Sequence, residues 1–255
     1  MKKATTLIIA LFMIFYSCFS SFAASGEYSF YVKRNSEHKT PIIDKEFEFI
    51  SDYGGYYVNT RAGDDKVVYL TFDAGYENGN VEKILDVLDA RGVTGAFFVL
   101  ENLIKRAPEL VKRMNDKGHL VCNHTATHKN MTKIHDMKSF SDELKRLECA
   151  YAELTGCDMA KIYRPPEGRF SRENLEFANK LGYKTVFWSF AYADWDNNSQ
   201  PSPEAALEKI LANLHNGEIM LLHPTSATNA AIMDKLIVTL TDMGYRFGNL
   251  EELWA

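Results

Sequence analysis

From Lys66 onward the chain alternates between two hydrophobic periods. Short apolar or β-branched runs at Val67–Phe72, Thr94–Leu100, His119–Asn123, Lys161–Tyr163, Lys184–Trp188, Glu218–Leu222 and Tyr245–Phe247 read as strands. Between them the apolar residues shift to helical spacing, as in Ile84, Leu85 and Leu88, or Phe140, Leu144, Leu147 and Tyr151. Gly92, Gly118, Gly156, Gly182, Gly217 and Gly244 stand just past the predicted helix ends, where a left-handed residue costs least without a Cβ. Ser202-Pro203 predicts a helix start, with a capping hydroxyl before a proline at the first helical position. Strands alternating with helices imply a parallel sheet covered by helices, and seven such units point to a barrel rather than an open sheet. In a parallel barrel the chemistry lies where the strands end.

The first residues follow another pattern. Lys2 and Lys3 precede an apolar run from Leu7 to Phe15, with small residues at Ser21 and Ala23, so residues 1–23 read as a secretory signal. The run is shorter than the roughly 20 residues of a membrane span. Cleavage near Ala23 or Ala24 is expected, with an uncleaved membrane anchor as the alternative. Cys18 lies inside the signal in a context that matches a lipoprotein site poorly. Residues 24–65 are rich in aromatic and charged side chains and lack the βα rhythm; they read as an N-terminal extension packed on the barrel of residues 66–255.

Composition narrows the class of protein. With 255 residues, 46% hydrophobic and 25% charged, the chain is neither disordered nor fibrous. A domain of this size folds without a disulfide or a structural metal, so any metal here serves chemistry. Loss of the signal removes Lys2 and Lys3 from 29 basic residues set against 34 acidic ones, leaving a formal charge of −7. That balance disfavours a nucleic-acid partner. Cys122, Cys149 and Cys157 remain, an odd number unlike a secreted disulfide framework. Buried free thiols are expected, with a Cys149–Cys157 bridge as the alternative.

Polar residues gather where the predicted strands end. The first strand stops at Asp73, before Ala74-Gly75-Tyr76-Glu77-Asn78-Gly79; a carboxylate there is placed as a base, and equally as a helix cap. The third ends in Asn123-His124-Thr125-Ala126-Thr127-His128, two histidines four apart that share one face of a helical turn and can bind one cation. The fourth ends in Arg164-Pro165-Pro166-Glu167-Gly168-Arg169-Phe170-Ser171, a turn stiffened by two prolines, with Ser171 placed to cap the next helix. The fifth is followed by Asp194-Trp195, and the sixth ends in Leu221-Leu222-His223. Any one of these endings has an ordinary structural explanation; five together are hard to explain by chance.

In this order, Thr71-Phe72-Asp73, His124 to His128, Arg164-Pro165-Pro166-Glu167-Gly168, Asp194-Trp195 and Leu221-Leu222-His223 resemble the five motifs of the polysaccharide deacetylases, carbohydrate esterase family 4. Tyr69 to Gly79 and Thr185-Val186-Phe187-Trp188-Ser189 are most similar to the delta-lactam-biosynthetic de-N-acetylases of spore-forming bacteria, which act on muramic acid in cortex peptidoglycan. The resemblance implies a distorted (β/α)7 barrel. It implies Asp73 as general base, held ionised by Arg164, and His223 as general acid, oriented and raised in pKa by Asp194. It further implies a divalent metal (Zn, or Mn, Mg or Co) on His124 and His128, an acetyl pocket walled by Trp195 and Leu221, and an oxyanion contact from the Glu167 backbone N–H. Arg169 is the candidate partner for a substrate carboxylate.

One position departs from the pattern. Most of the family carries a second Asp after the base as a third metal ligand, and here that residue is Ala74. Either the two histidines bind metal weakly with extra waters, or a neighbour such as Glu77 substitutes. The implied activity is hydrolytic de-N-acetylation of N-acetylmuramic acid in peptidoglycan glycan strands, by an exported monomer that touches the membrane only if the signal is uncleaved. The alternatives are a deacetylase of N-acetylglucosamine in peptidoglycan or chitin, and a non-catalytic wall-glycan-binding protein.

Overall fold

The computed structural model describes residues 26–35 and 37–255, so the expected signal over residues 1–23 lies outside the described residues. In chain order the elements are β1 (Tyr28–Ser29), β2 (Gly55–Tyr56), β3 (Val67–Ala74), α1 (Asn80–Arg91), β4 (Ala96–Val99), α2 (Glu101–Arg106), α3 (Pro108–Asp116), β5 (Leu120–Asn123), α4 (Met137–Thr155), β6 (Ile162–Tyr163), β7 (Arg169–Phe170), α5 (Arg172–Lys180), β8 (Lys184–Val186), α6 (Pro203–Asn213), β9 (Glu218–Leu222), α7 (Ala227–Asp242) and β10 (Arg246–Phe247). The six glycines expected past helix ends all have positive φ. Ser202 and Ser171 cap α6 and α5, accepting from Ala205 N and Asn174 N.

β3 explains the architecture. Its residues alternate between two apolar environments, as a strand buried on both faces must. Val67 and Tyr69 pack with Ala96, Phe98, Cys122, Val186 and Ile219 inside the curl of the sheet. Val68, Leu70, Phe72 and Ala74 pack outward against α1 and α7, on Ile84, Leu85, Leu88, Ile232 and Leu236. The same alternation puts Thr71 and Asp73 on the inner face, so the polar end of the strand opens at the mouth of the barrel.

Parallel pairing runs from β3 to β4, β5, β6 and β8, and β9 pairs with β3 through Val68–Phe72. The curl returns on itself where Phe190, just past β8, bridges Met220 of β9. Below that point β8 and β9 diverge, and the N-terminal extension enters the gap. β2 pairs with β8 in parallel, Val58 bridges Glu218, and Asn59 N donates to Gly217 O at 2.9 Å. The extension thus contributes a strand to the sheet, which its irregular sequence does not announce. Upstream, β1 pairs antiparallel with β7, and Phe30, Phe47, Phe49, Phe170 and Phe187 form a separate aromatic cluster.

Cys122 is buried, whereas Cys149 and Cys157 are exposed and free, so neither burial of all three thiols nor the alternative bridge holds. Among the described residues no helix is long and apolar enough to cross a membrane.

Candidate active site

The ends of β3, β5, β6 and β9 meet at a cavity of about 690 Å³. Asp73, His124, His128, Glu167, Leu221 and His223 all line it. Trp195 lines it too but is 61% exposed, a rim residue more than an inner wall.

Beneath Asp73 lies Arg164, fully buried. Its guanidinium donates to Asp73 Oδ1 at 2.9 Å, to Thr71 Oγ1 at 3.0 Å, and to the carbonyls of Val186 at 2.9 Å and Phe187 at 3.0 Å; it also stacks 4.0 Å over the Phe98 ring. Four hydrogen bonds thereby engage all three nitrogens of the guanidinium fork, which holds the charge in one place. Burial alone would raise the Asp73 pKa, but the neighbouring His124, the Arg164 guanidinium and His223 outweigh it and hold the carboxyl below its usual range. Asp73 is therefore a carboxylate with Oδ2 free, 3.5 Å from His124 Nε2.

His223 is poised in the opposite sense. Its Nδ1–H donates to Asp194 Oδ1 at 2.7 Å and its backbone N–H to Oδ2 at 2.8 Å. Burial lowers the imidazole pKa, and the bond to Asp194 and that carboxylate's charge reverse the shift, so His223 titrates above an ordinary histidine. Nε2 is left as a donor. Asn229 Nδ2 completes the buried Asp194 by donating to Oδ2 at 2.6 Å.

The two histidines of the β5 ending meet, but not through a helical turn. Residues 124–128 are irregular, with Thr125 at φ 72° and His128 at φ 58°. These left-handed residues fold the loop back so that the imidazoles lie with centroids 5.1 Å apart at 68°. The expected helical spacing is thus replaced by a strained loop, because β5 runs straight into a chain reversal. His124 Nδ1 is anchored on Arg164 O at 2.8 Å, leaving Nε2 for the cavity. Burial lowers the His124 pKa to about 4 against the pull of Asp73, so the ring is neutral with its lone pair free.

A neutral imidazole with Nδ1 fixed by a carbonyl is the form in which histidine holds a divalent cation. The pair therefore fits a metal as two ligands. Among the described residues no group of three or more His, Cys, Asp and Glu converges on a metal-sized space. Ala74 is fully buried on the outward face of β3, and Glu77 turns its carboxylate back onto the Gly79 N–H. Glu77 as a substitute ligand is thus not supported.

Two further expectations meet different fates. Glu167 lines the cavity in a left-handed conformation, φ 57°, and Gly168 beside it is obligatory, since a Cβ there would lie 2.6 Å from the Trp188 ring. Arg169 does not line the cavity. It faces Glu167 at 2.8 Å and Glu27 at 3.5 Å, so its charge is already answered by two carboxylates and it is not free to receive a substrate anion.

Sequence reasoning gave Thr71 no role beyond its place in the first motif and missed Asn229. Asn229 had a readable signal: it stands on the apolar stripe of α7, in helical register with Ile232, Met233 and Leu236, where the period calls for a hydrophobic residue.

Residues 60–186 match the family model for polysaccharide deacetylases. The chain is 40% identical over 246 residues to an uncharacterized protein of Geobacillus stearothermophilus, spanning 96% of this chain and 92% of that one. It is also 40% identical over 224 residues to the peptidoglycan-N-acetylmuramic acid deacetylase PdaA of Bacillus subtilis, spanning 87% and 83%. The solved structure of that PdaA, described as a family 4 carbohydrate esterase, superposes with a TM-score of 0.86 at 36% identity, covering 90% of this chain and 97% of PdaA. Deacetylases of this kind depend on a metal. Sharing their fold and two-fifths of its residues with relatives that it spans almost end to end, the chain belongs to the polysaccharide deacetylases of carbohydrate esterase family 4.

Proposed function

We propose that this protein hydrolyses the N-acetyl group of N-acetylmuramic acid in peptidoglycan, outside the cytoplasmic membrane, and so leads to muramic delta-lactam in spore cortex. The observation that carries the reading is the opposed pair in one cavity: Asp73, whose ionised form Arg164 favours, and His223, whose protonated form Asp194 favours. Amide hydrolysis needs a base for the water and an acid for a poor amine leaving group, and these two groups supply them. A divalent cation on His124 and His128 would polarise the acetyl carbonyl and acidify water. With Ala74 in place of a carboxylate, the metal would be held by fewer protein ligands, and weakly.

Asp73 Oδ2 takes a proton from the attacking water, whose oxygen becomes part of acetate. Arg164 keeps the carboxylate from turning away. As the C–N bond breaks, His223 Nε2 gives its proton to the departing 2-amino nitrogen. Asp194 stabilises the imidazolium beforehand and Asn229 fixes Asp194. The Glu167 N–H faces the developing oxyanion, and Leu221 with Trp195 bounds the methyl group.

The freed amine then lies beside the 3-lactyl carboxyl on the same sugar, where closure of a six-membered lactam, in which the carboxyl C–O bond breaks and water leaves, is entropically cheap. No Lys or Arg is among the residues lining the cavity. The lactyl carboxylate is instead assigned to Tyr76, whose hydroxyl accepts from Asn197 Nδ2 at 2.8 Å and keeps its own hydrogen to donate. A stem peptide would convert that carboxylate to an amide and crowd the opening.

We read residues 24–65 as part of the deacetylase domain, since β1 and β2 brace β7 and β8, and residues 1–23 as its export signal. Purified protein, loaded with metal, should release acetate from amidase-treated peptidoglycan and hardly at all from intact peptidoglycan. Release from chitin oligosaccharides alone would transfer the assignment to N-acetylglucosamine. No chelator-sensitive release from any of the three would leave only wall binding.

A further inference from the structure

His124 is fixed by the barrel, through β5 and the bond from its Nδ1 to Arg164 O. His128 stands four residues further on, exposed, in a loop whose backbone resists the conformation it adopts. Thr125 is β-branched and left-handed, and His128 is left-handed as well. Such a loop keeps its shape only where its surroundings over-determine it.

Three side chains do so. Asn123 Oδ1 accepts from Thr125 N at 2.9 Å, and Thr125 Oγ1 accepts from His128 N at 2.9 Å. The third is Glu143, which comes from outside the loop. Its Oε1 accepts from Thr127 N at 2.8 Å and from the Thr127 hydroxyl, and its Oε2 faces Lys129 Nζ at 3.4 Å. One carboxylate thus grips the residues on both sides of His128. Glu143 is only 6% exposed and belongs to the buried face of α4, beside Phe140, Leu144 and Leu147. A leucine at that point would suit the helix better; the carboxylate suits only the loop.

We propose that Glu143 is a positioning residue that sets the separation of the His124 and His128 imidazoles, and through it the metal affinity of the site. The inference rests on the reading of the two histidines as metal ligands. It makes α4, which reaches neither metal nor substrate, part of the active-site machinery.

The test uses Glu143→Leu and Glu143→Gln beside the wild type, with zinc as the titrant. Loss of an outer partner of a metal site typically costs about 10–100-fold in affinity or activity. Glu143→Leu should lose zinc affinity by that order in calorimetry, and kcat on amidase-treated glycan should fall in step while KM holds. Glu143→Gln keeps an acceptor for the Thr127 N–H and should recover much of the loss, which a merely structural role would not require. Hydrogen exchange on metal-free wild type gives an independent readout: the Thr127 amide should be protected. Wild-type zinc affinity in Glu143→Leu, or a Thr127 amide that exchanges like open loop, would overturn the proposal while leaving the deacetylase reading in place. If neither variant folds, the wild-type exchange decides. A wild type that binds no zinc would remove the ligand reading and this inference with it.

Discussion

Replacing Arg164 by Met should cost the folded state about 3–5 kcal/mol at pH 7, the range expected when one partner of a buried ion pair is removed. Methionine fills most of the volume and keeps contact with Phe98, so a cavity is the minor part of the loss. The Val186 and Phe187 carbonyls lose their donor, at about 1 kcal/mol or more each. Asp73 loses its counterion and keeps its desolvation. It can escape only by taking up a proton, which makes the remaining cost depend on pH. In the wild type the folded-state pKa of Asp73 is depressed, so its contribution to stability is present above the unfolded value and is lost as pH falls. In the variant the guanidinium's charge and hydrogen bond are gone while burial remains, so the folded-state pKa of Asp73 rises relative to wild type and the contribution is lost at higher pH. The stability gap between wild type and variant must therefore widen from acidic to neutral pH. Urea unfolding followed by tryptophan fluorescence at several pH values between 4 and 7.5 measures it. A gap below about 1 kcal/mol at pH 7, or one constant across that range, would refute the account of Asp73 as a carboxylate held by Arg164.

Three other outcomes follow from the same geometry. The profile of kcat/KM against pH should be bell-shaped, its alkaline limb set by His223 and extended by the raised pKa; Asp194→Asn leaves burial dominant at His223 and should draw that limb to lower pH, Asn229→Ala doing so to a lesser extent. An alkaline limb unmoved by Asp194→Asn would exclude His223 as the acid. Ala74→Asp should lower the melting temperature of the metal-free protein, because it buries a charge in an apolar cluster on the face of β3 turned away from the cavity; a melting temperature equal to wild type would show that position 74 is not packed as described. Gly168→Ala, with φ 65° and its new methyl 2.6 Å from the Trp188 ring, should cost about 1–3 kcal/mol in urea unfolding and lower kcat/KM, since Trp188 lines the cavity; a variant equal to wild type in both would show the Arg164–Gly168 turn to be soft.

Much of this protein is legible from local pattern. The alternation of apolar runs and helical stripes placed the seven strands to within a few residues, because burial on both faces of a parallel strand demands continuous hydrophobicity. The strand endings located Asp73, His124, His128, Glu167, Leu221 and His223 at one cavity, since a parallel barrel collects its strand ends on one rim. Even two missed elements left a local trace. Asn229 and Glu143 interrupt apolar stripes on α7 and α4, and a polar residue on such a stripe needs a partner that the stripe itself cannot supply.

Other features have no local signature. That residues 55–59 fill the gap between β8 and β9 depends on how far the curl of the sheet leaves those strands apart, a property of the whole barrel. That Arg169 is answered by Glu27 depends on β1 pairing with β7 across some 140 residues of chain, whose closure no periodicity reports. The spacing of His124 and His128 told that they could meet; a helix was the local way to achieve it. The fold instead uses a left-handed loop, whose cost only distant partners such as Glu143 can offset. The order of hydrophobic and polar positions determined the barrel and which residues reach its rim, because burial is read along the chain. How those residues are aimed was decided by contacts between segments far apart in sequence, because hydrogen bonds and charge pairs are made across space.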